Sequence, residues 1–334
     1  MDAFGFPAFG DFDGDGDADL AVLAASEERE PGADPVGTVF LFLRDGEGYL
    51  PWRTLQDSAL LTAVDHTDLG RPIATGDFDG DGLDDLVFRS GGEVVGVTEY
   101  SAADWSAPRR VWSGAHSEEM GYAASEDFGR VLRSTDLNGD GVDDLLISDS
   151  SAEVEGVPNA GMLLALYGGE GLALEVALDL THFGLDPKNC PGFAADVDVG
   201  QVVDDPLPEV FVTAPACARV LITDPQLQPV HELAMEAPGF GAAIAVGDLD
   251  GDGLVDLAAG GLDERVAIYL SEYSGFPLGS LSEWRVRFDG GTGPLYPRVI
   301  EDLDGDGAGD LVAYGATTFT TLGSSGEVYF YRGV

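Results

Sequence analysis

One acidic string recurs along the chain and restricts its fold more than any other feature. It combines Asp and Gly in a fixed order and runs into an apolar stretch. Its five clear copies are DFDGDGDADL from Asp11, DFDGDGLDDL from Asp77, DLNGDGVDDL from Asp136, DLDGDGLVDL from Asp248 and DLDGDGAGDL from Asp302. A decayed copy, DVDVGQVVDDPLPEVFV from Asp196, falls midway in the one long interval. We infer six repeat units, because recurrence at a regular period is typical of repeat folds.

The period and the apolar pattern predict an all-β protein. The copies start 66, 59, 60, 52 and 54 residues apart, which suits a four-stranded propeller blade with loop insertions. Gly, Pro and Asp interrupt every window in which helical spacing could develop. The predicted strands lie at 242–246, 257–259, 266–270 and 284–288 in unit five, and at 73–75, 86–88, 94–97 and 110–112 in unit two. The acidic strings therefore connect first and second strands.

The predicted architecture is a β-propeller of six four-stranded blades in a single domain over residues 1–334. Short sheets of this kind stack radially, since none can bury both faces alone. The approximate blades are 1–57, 58–114, 115–180, 181–236, 237–290 and 291–334. The last unit ends at its third strand in GEVYFYRGV. Two outcomes stay open for this unit: a ring with a short final blade, or a part of a longer chain.

The composition is strongly acidic, with 16 Lys and Arg against 61 Asp and Glu and a formal net charge of −45. Such a charge disfavours nucleic acid and anionic lipid as partners and favours cations. Disorder is the alternative for an acidic chain, but 17 Phe, 10 Tyr and 4 Trp in regular positions argue against it. The apolar runs are too short to span a bilayer, so no membrane insertion is expected.

Each acidic string has the ligand pattern of a calcium loop. Acidic or amide side chains occupy positions one, three, five and nine, and position seven offers a backbone carbonyl. These hard oxygen ligands suit calcium better than octahedral magnesium. Glycines at positions four and six allow the left-handed backbone that turns the carboxylates inward. Metal-free Asp- and Gly-rich turns are the alternative, but they explain neither the spacing nor the fivefold recurrence.

The sequence thus predicts about five calcium ions and no other cofactor. The predicted ligands are Asp11, Asp13, Asp15, Asp17 (carbonyl) and Asp19; Asp77, Asp79, Asp81, Leu83 (carbonyl) and Asp85; Asp136, Asn138, Asp140, Val142 (carbonyl) and Asp144; Asp248, Asp250, Asp252, Leu254 (carbonyl) and Asp256; and Asp302, Asp304, Asp306, Ala308 (carbonyl) and Asp310.

The fourth unit departs from this pattern. Its acids Asp196, Asp198 and Asp204 are assigned to positions one, three and nine, but a glycine stands at position five. Calcium binding at this copy is left open. Cys190 and Cys217 lie in the same unit, at the same end of the blade if the strands alternate. They form either a disulfide that staples this unit or two small buried thiols.

These motifs together resemble the FG-GAP repeats of the integrin α-subunit N-terminal propeller and its bacterial relatives. A Phe-Gly pair precedes the acidic string at Phe4-Gly5, Phe128-Gly129, Phe183-Gly184 and Phe240-Gly241, with weaker versions at Leu69-Gly70 and Thr292-Gly293. The resemblance covers essentially the whole chain. It implies that calcium loops lie on one face and that partners bind the opposite face. Family propellers usually have seven blades, whereas six units are present here.

The positions of the loop insertions also indicate that a ligand binds on the face opposite the predicted calcium loops. The connections SEEREPGADPVG from Ser26 and SGAHSEEMGYAASEDFG from Ser113 expand, while the acidic strings stay constant. Long loops on a rigid scaffold commonly carry recognition. His116, Tyr122 and Phe193 are candidate exposed contacts there, although local packing is the alternative for each.

The sequence shows no catalytic motif. The histidines His66, His116, His182 and His231 are isolated, and no zinc spacing, nucleophile elbow, P-loop or dinucleotide fingerprint is found. We therefore expect a non-enzymatic, calcium-stabilised binding or adhesion module that presents loops to a protein or glycan. The alternative is a polysaccharide-processing enzyme or a lectin. Weak calcium sites indicate an extracellular or cell-surface location; because no signal segment precedes the first unit, a longer native chain is expected.

Overall fold

A computed structural model provides the structure. It describes residues 3–27, 36–46, 48–55, 73–90, 96–102, 105, 109–113, 122–125, 127–169, 171–202, 207–235, 239–261, 265–271, 284–287, 295–303, 305–320 and 323–332. The chain divides into two compact units, residues 1–158 with 162–177, and residues 159–161 with 178–334.

The first unit holds three four-stranded antiparallel sheets, each assembled in chain order. Sheet 1 contains β1 (Ala3–Gly10), β2 (Asp19–Glu27), β3 (Val36–Asp45) and β4 (Gly48–Leu55). Sheet 2 contains β5 (Ile73–Gly76), β6 (Asp85–Ser90), β7 (Gly96–Tyr100) and β8 (Arg109–Ser113). A small ribbon pairs β9 (Tyr122–Ala123) with β12 (Glu153–Val154). Sheet 3 contains β10 (Leu132–Thr135), β11 (Asp144–Asp149), β13 (Met162–Tyr167) and β14 (Ala173–Leu178).

The second unit repeats this arrangement. Sheet 4 contains β15 (Val197–Gly200), β16 (Glu209–Ala214), β17 (Arg219–Thr223) and β18 (Pro229–Ala234). Sheet 5 contains β19 (Ala243–Gly247), β20 (Asp256–Gly260), β21 (Arg265–Tyr269) and β22 (Trp284–Arg287). Sheet 6 contains β23 (Leu295–Glu301), β24 (Asp310–Thr320) and β25 (Gly323–Tyr331).

Every sheet opens with the same hairpin register. The last residue of the first strand pairs with the first residue of the second strand, eight residues after the start of the connecting turn. These pairs are Gly10 with Asp19, Gly76 with Asp85, Thr135 with Asp144, Gly200 with Glu209, Gly247 with Asp256 and Glu301 with Asp310. The connecting turns are therefore equivalent in all six sheets.

The core lies between neighbouring sheets of each unit. The second strands β11, β16 and β20 are buried at every residue, because sheets cover both of their faces. One apolar cluster joins sheets 1 and 2 through Leu23, Leu41 and Phe88. Further clusters join sheet 4 to sheet 5, and sheet 5 to sheet 6. First strands of successive sheets contact each other within each unit, as expected of stacked blades.

The predicted strands of units two and five are confirmed to within three residues, except that positions 94–95 and 288 lie outside the described residues. The all-β fold is confirmed: the described residues hold only two 3-10 turns, Leu180–Phe183 and Pro215–Cys217. Sheet 6 has three strands in the described part of the chain, as the sequence predicted. Among described residues, no helix has the length and apolarity needed to cross a membrane. The blade boundaries stay a prediction.

Candidate metal centres

The acidic turns are named loops 1 to 6, at residues 11–19, 77–85, 136–144, 201–209, 248–256 and 302–310. In all except loop 4, the carboxylate at position one accepts hydrogen bonds from backbone N–H groups at positions four and six. The distances from Asp77 are 2.8 Å to Gly80 and 2.9 Å to Gly82. The same bonds span 2.6–2.9 Å in the other four loops. The loop backbone thus wraps around its first carboxylate.

Glycine is required at positions four and six. Their φ angles lie between 75° and 94° in these five loops, in the left-handed region that side chains disfavour. The carboxylate at position five accepts from the N–H at position seven at 2.9–3.0 Å, as Asp81 does from Leu83. The predicted glycine roles are therefore confirmed.

Three of the acidic loops, loops 1, 2 and 5, gather carboxylates closely enough to hold a metal ion. Three groups have ligand oxygens within 4.8 Å of one another: Asp11 with Asp13 and Asp15, Asp77 with Asp79 and Asp85, and Asp248 with Asp250 and Asp256. Loop 3 carries Asn138 at position three, whose amide donates to Asp140 Oδ2 at 2.9 Å. The predicted ligand Asp304 of loop 6 lies outside the described residues. Clustered oxygen donors of this kind suit a hard divalent cation.

The aspartate at position nine is buried in all five loops, and in loops 1, 2, 3 and 5 it binds backbone on two sides. Asp256 Oδ2 accepts from the N–H of Leu249, and its Oδ1 accepts from the N–H of Ser271 after the third strand, both at 2.8 Å. Asp19, Asp85 and Asp144 make the same pair of bonds at 2.7–3.2 Å. Sequence reasoning assigned this position to the metal alone and missed that it connects the turn to the residue that follows the third strand.

Burial raises the pKa of three of these carboxylates, Asp19, Asp144 and Asp256. Desolvation raises the pKa of Asp144 to about 6 and that of Asp256 to about 7, although backbone N–H donors act in the opposite direction. The neighbouring acids of each loop raise both pKa values further. A divalent cation would reverse this effect, because it favours the ionised form.

Loop 4 corrects the predicted register of the decayed copy. Val202 N–H donates to Glu209 Oε2 at 2.7 Å, which is the bond from position two to position nine in the other loops. The loop therefore starts at Gln201, five residues later than the sequence predicted. Asp196 and Asp198 are not loop ligands; Asp196 lies just before β15 and Asp198 within it.

The corrected loop 4 lacks the first carboxylate. The residues at positions one, two and three are Gln201, Val202 and Val203. Loop 4 therefore has no carboxylate at position one, around which the backbone of the other loops is wrapped. Asp204, predicted as position nine, lies outside the described residues. The oxygens of Asp196 and Asp198 instead accept from the N–H groups of Ile244 and Val246 on β19, at 3.1 and 3.0 Å.

The Phe-Gly pair of sheet 4 shifts accordingly. Gly129 and Gly241 N–H donate to the second strand of their sheets at 2.8 and 2.9 Å, and Ala194 N–H makes the equivalent bond to Thr213 O at 2.8 Å. The pair is thus Phe193-Ala194, and Phe183-Gly184 belongs to a 3-10 turn. Phe193 is fully buried, and Tyr122 is also buried, so neither is an exposed contact. His116 lies outside the described residues.

Sheet 4 carries a disulfide in place of the missing carboxylate cage. Cys190 and Cys217 are bonded, with Cα atoms 5.2 Å apart. Cys190 precedes β15, and Cys217 ends the 3-10 turn between β16 and β17. Of the two alternatives for these cysteines, the structure contains the disulfide.

A hydrogen-bond network lies in sheet 3 at the end opposite loop 3. The N–H of Ser125 donates to Asp149 Oδ2 at 2.9 Å, and the Ser125 hydroxyl donates to the other carboxylate oxygen. The Ser151 hydroxyl donates to Asp127, which also pairs with Arg130 at 3.2 Å. Burial raises the pKa of Asp149, while its bonds from Ser125 lower it. The network joins Ser125 and Asp127, which precede β10, to the end of β11.

Comparisons with known proteins agree with this geometry. Residues 248–313 match the model of the FG-GAP-like repeat. The exotype rhamnogalacturonan lyase YesX is similar in structure, with a TM-score of 0.58 and 14% identity over 99% of this chain and 56% of its own. Rhamnogalacturonan lyase YesW gives a TM-score of 0.55 and 14% identity over 100% and 57%. The α-L-arabinanase of Penicillium chrysogenum gives 0.56 and 10% over 99% and 93%.

At such identities the likeness concerns the fold. These neighbours are β-propeller proteins, so the chain has a β-propeller fold and carries an FG-GAP-like repeat. The chain spans a little over half the length of the two lyases. Among curated proteins, no sequence relative matches it.

Proposed function

We propose that this protein is a calcium-stabilised binding module that works outside the cytosol. The supporting observation is the recurrence of one backbone arrangement around the first carboxylate in five loops. Acidic side chains crowded at 4.8 Å or less repel one another, and a divalent cation removes that repulsion. Loops built this way commonly bind calcium at levels found outside cells.

The ligand surface lies at the sheet ends opposite the acidic loops. Two cross-links at these sheet ends support this: the hydrogen bonds to Asp149 in sheet 3 and the disulfide in sheet 4. Connections held in one conformation lose less entropy when a ligand binds. The metal loops then stabilise the scaffold, and the opposite ends contact a protein or a glycan.

A glycan-active role is the second candidate, and one surface cluster favours it. The rings of Tyr296 and Tyr314 stack with centroids 5.0 Å apart in sheet 6, at the end opposite loop 6. Arg298 lies over the Tyr314 ring at 4.7 Å, and Tyr314 is 36% exposed. Aromatic faces beside a polar group suit a sugar ring. The three similar structures are also enzymes named for polysaccharide substrates.

One experiment separates the candidates. Purified protein is tested on a glycan array and on polysaccharides for cleavage, each in millimolar calcium and in excess chelator. The first candidate predicts calcium-dependent binding without cleavage. A glycan site at the Tyr314 cluster predicts loss of glycan binding in Tyr314→Ala. Tyr49→Ala is the matched control, since Tyr49 lies in sheet 1 beside Arg44 at 5.2 Å. Cleavage that disappears on a single substitution near Tyr314 would instead establish an enzyme.

A further inference from the structure

Two aspartates outside the predicted ligand sets connect one acidic loop to the next. Asp84, at position eight of loop 2, accepts through Oδ2 from the N–H of Asp11 at 2.8 Å. Asp143, at position eight of loop 3, accepts from the N–H of Asp77 at 3.1 Å. The backbone N–H of each bridging aspartate also donates to the carbonyl of the same partner, at 2.9 Å. Position one of the preceding loop is therefore held on both sides.

A glycine makes room for each bridge. A Cβ atom on Gly10 would lie 2.7 Å from Asp84 Oδ2, and one on Gly76 would lie 2.7 Å from Asp143 Oδ2. Both distances are too short for a side chain, so these positions need glycine for space. Position seven adds a second contact, since the side chain of Leu83 reaches over Gly14 of loop 1.

The second unit offers a natural contrast. Position eight is Val255 in loop 5, where its methyl groups face Gly200 of sheet 4. Position eight of loop 6 is Gly309, which contacts loop 5 only through its N–H, 2.6 Å from the carbonyl of Asp248. Loops 5 and 6 thus keep a backbone link but have no carboxylate bridge. The bridge is a feature of loops 1 to 3.

Metal binding in loop 2 would order the residue that positions loop 1. The predicted ligands Leu83 and Asp85 flank Asp84, so an ion bound there restricts the backbone of Asp84 on both sides. A restricted Asp84 holds the N–H of Asp11 and keeps the first carboxylate of loop 1 in place. Repulsion between ions acts in the opposite direction, but the loops are exposed and salt screens such repulsion. Ordering is therefore the larger effect.

We propose that Asp84 and Asp143 are coupling residues, through which a metal ion in one loop of the first unit strengthens binding in the preceding loop. This inference rests on the proposed calcium function. Coupling is reciprocal, so an ion in loop 1 strengthens binding in loop 2 as well. Loops 5 and 6 fill independently of each other.

The test measures calcium occupancy loop by loop in the full chain. Hydrogen–deuterium exchange of the peptide covering loop 1 is followed during a calcium titration, because its N–H groups bond to Asp11. Asp81→Ala removes a ligand from loop 2 only. We expect it to raise the calcium midpoint of loop 1 about fivefold or more, within the usual range of allosteric coupling. In an Asp84→Ala background the same change should move that midpoint less than about twofold.

Matched variants distinguish loss of the Asp84 hydrogen bond to Asp11 from a general loss of folded structure. Asp84→Asn keeps an oxygen acceptor and should retain most of the coupling, whereas Gly10→Ala displaces the carboxylate and should abolish it. Exchange in β6 reports whether sheet 2 stays folded. Asp306→Ala in loop 6 should leave the midpoint of loop 5 unchanged.

The outcomes distinguish this inference from the proposed function. If Asp81→Ala leaves loop 1 unaffected while calcium still protects both loops in the unaltered protein, the coupling is absent and the calcium function stands. The coupling also fails if Asp306→Ala shifts loop 5 as strongly as Asp81→Ala shifts loop 1. If calcium protects no loop, the proposed function itself fails.

Discussion

At the scale of single residues, the carboxylate at position nine has a different role from the one at position five. Asp256 is buried and accepts from two backbone N–H groups, that of Leu249 in the acidic turn and that of Ser271 after the third strand. Asp252 is exposed and bonds only to neighbours in its own loop. We therefore expect loss of Asp256 to affect the fold itself and loss of Asp252 to affect only the proposed metal site.

Asp256→Ala should lower the free energy of unfolding by roughly 2–6 kcal/mol, since it leaves two buried donors without a partner at about 1–3 kcal/mol each. The loss should persist in excess chelator. Asp252→Ala should lower stability only when calcium is present. Urea unfolding of both variants, with calcium and with chelator, measures the difference. Equal, calcium-dependent losses in the two variants would show that position nine acts through the metal alone.

Asp149 gives a pH dependence that is separate from the metal loops. Its pKa in the folded protein is raised above the ordinary value by burial, so the folded state binds a proton more tightly than the unfolded state. Its contribution to stability is therefore full below the unfolded pKa of about 4 and is lost as pH rises through the folded pKa.

The stability difference between the unaltered protein and Asp149→Ala should shrink as pH rises from about 4 towards neutrality. Urea unfolding in chelator across this range measures it, and taking the difference removes the titration of the other acids. Gln226→Ala, at an exposed position in the turn between β17 and β18, is the control and should give a flat difference. A difference that grows with pH would contradict the assignment.

At the scale of structural elements, the acidic hairpins were predictable because their signal is local. Spacing of acids and glycines within nine residues sets the turn, and the flanking apolar runs set the strands. Sheet 4 was misaligned for the same reason. Its acids Asp196 and Asp198 imitate positions one and three, whereas the true register depends on Gly200 before the turn and Glu209 at its end. Only that glycine and the apolar run after Glu209 could have revealed it.

The bridging aspartates could not be predicted from one repeat alone. Asp84 and Asp143 each contact the preceding loop, so their role depends on how neighbouring sheets stack. The double acid at positions eight and nine in two loops was the available signal. A sequence period reports which turns are alike, but it does not report which side chains cross between them.

The disulfide of sheet 4 should stabilise the one sheet whose turn lacks the proposed calcium ligands. Cys190 and Cys217 are 27 residues apart, and a loop of that size contributes about 3 kcal/mol by the chain-entropy model. Replacing both cysteines with Ser should lower the free energy of unfolding of the second unit by about that amount. Urea unfolding in the presence of calcium measures this loss. The calcium midpoints of loops 1 to 3, followed by hydrogen–deuterium exchange, should not change. A stability loss below about 0.5 kcal/mol would contradict a structural role.

At the scale of the whole molecule, the net charge of −45 opposes compaction. Part of that charge lies in loops that gather acids around one point, where bound calcium offsets it most effectively. Any salt would also screen the repulsion between these charges. The effect of calcium on stability must therefore be compared with that of other salts at equal ionic strength. The two compact units differ here, because loops 1 to 3 belong to the first and loops 5 and 6 to the second.

Calcium should therefore stabilise the first unit more than the second. With dissociation constants of about 0.1 mM, millimolar calcium contributes roughly 1.4 kcal/mol per site by mass action, hence about 4 kcal/mol for three loops and about 3 kcal/mol for two. Calorimetric melting in calcium and in chelator, with magnesium and sodium at matched ionic strength, measures the shift. Hydrogen exchange assigns it to each unit. Calcium should raise the melting temperature well beyond the matched salts, since octahedral magnesium fits such loops poorly. Identical melting in calcium and chelator would mean that the acidic loops hold their shape without a metal.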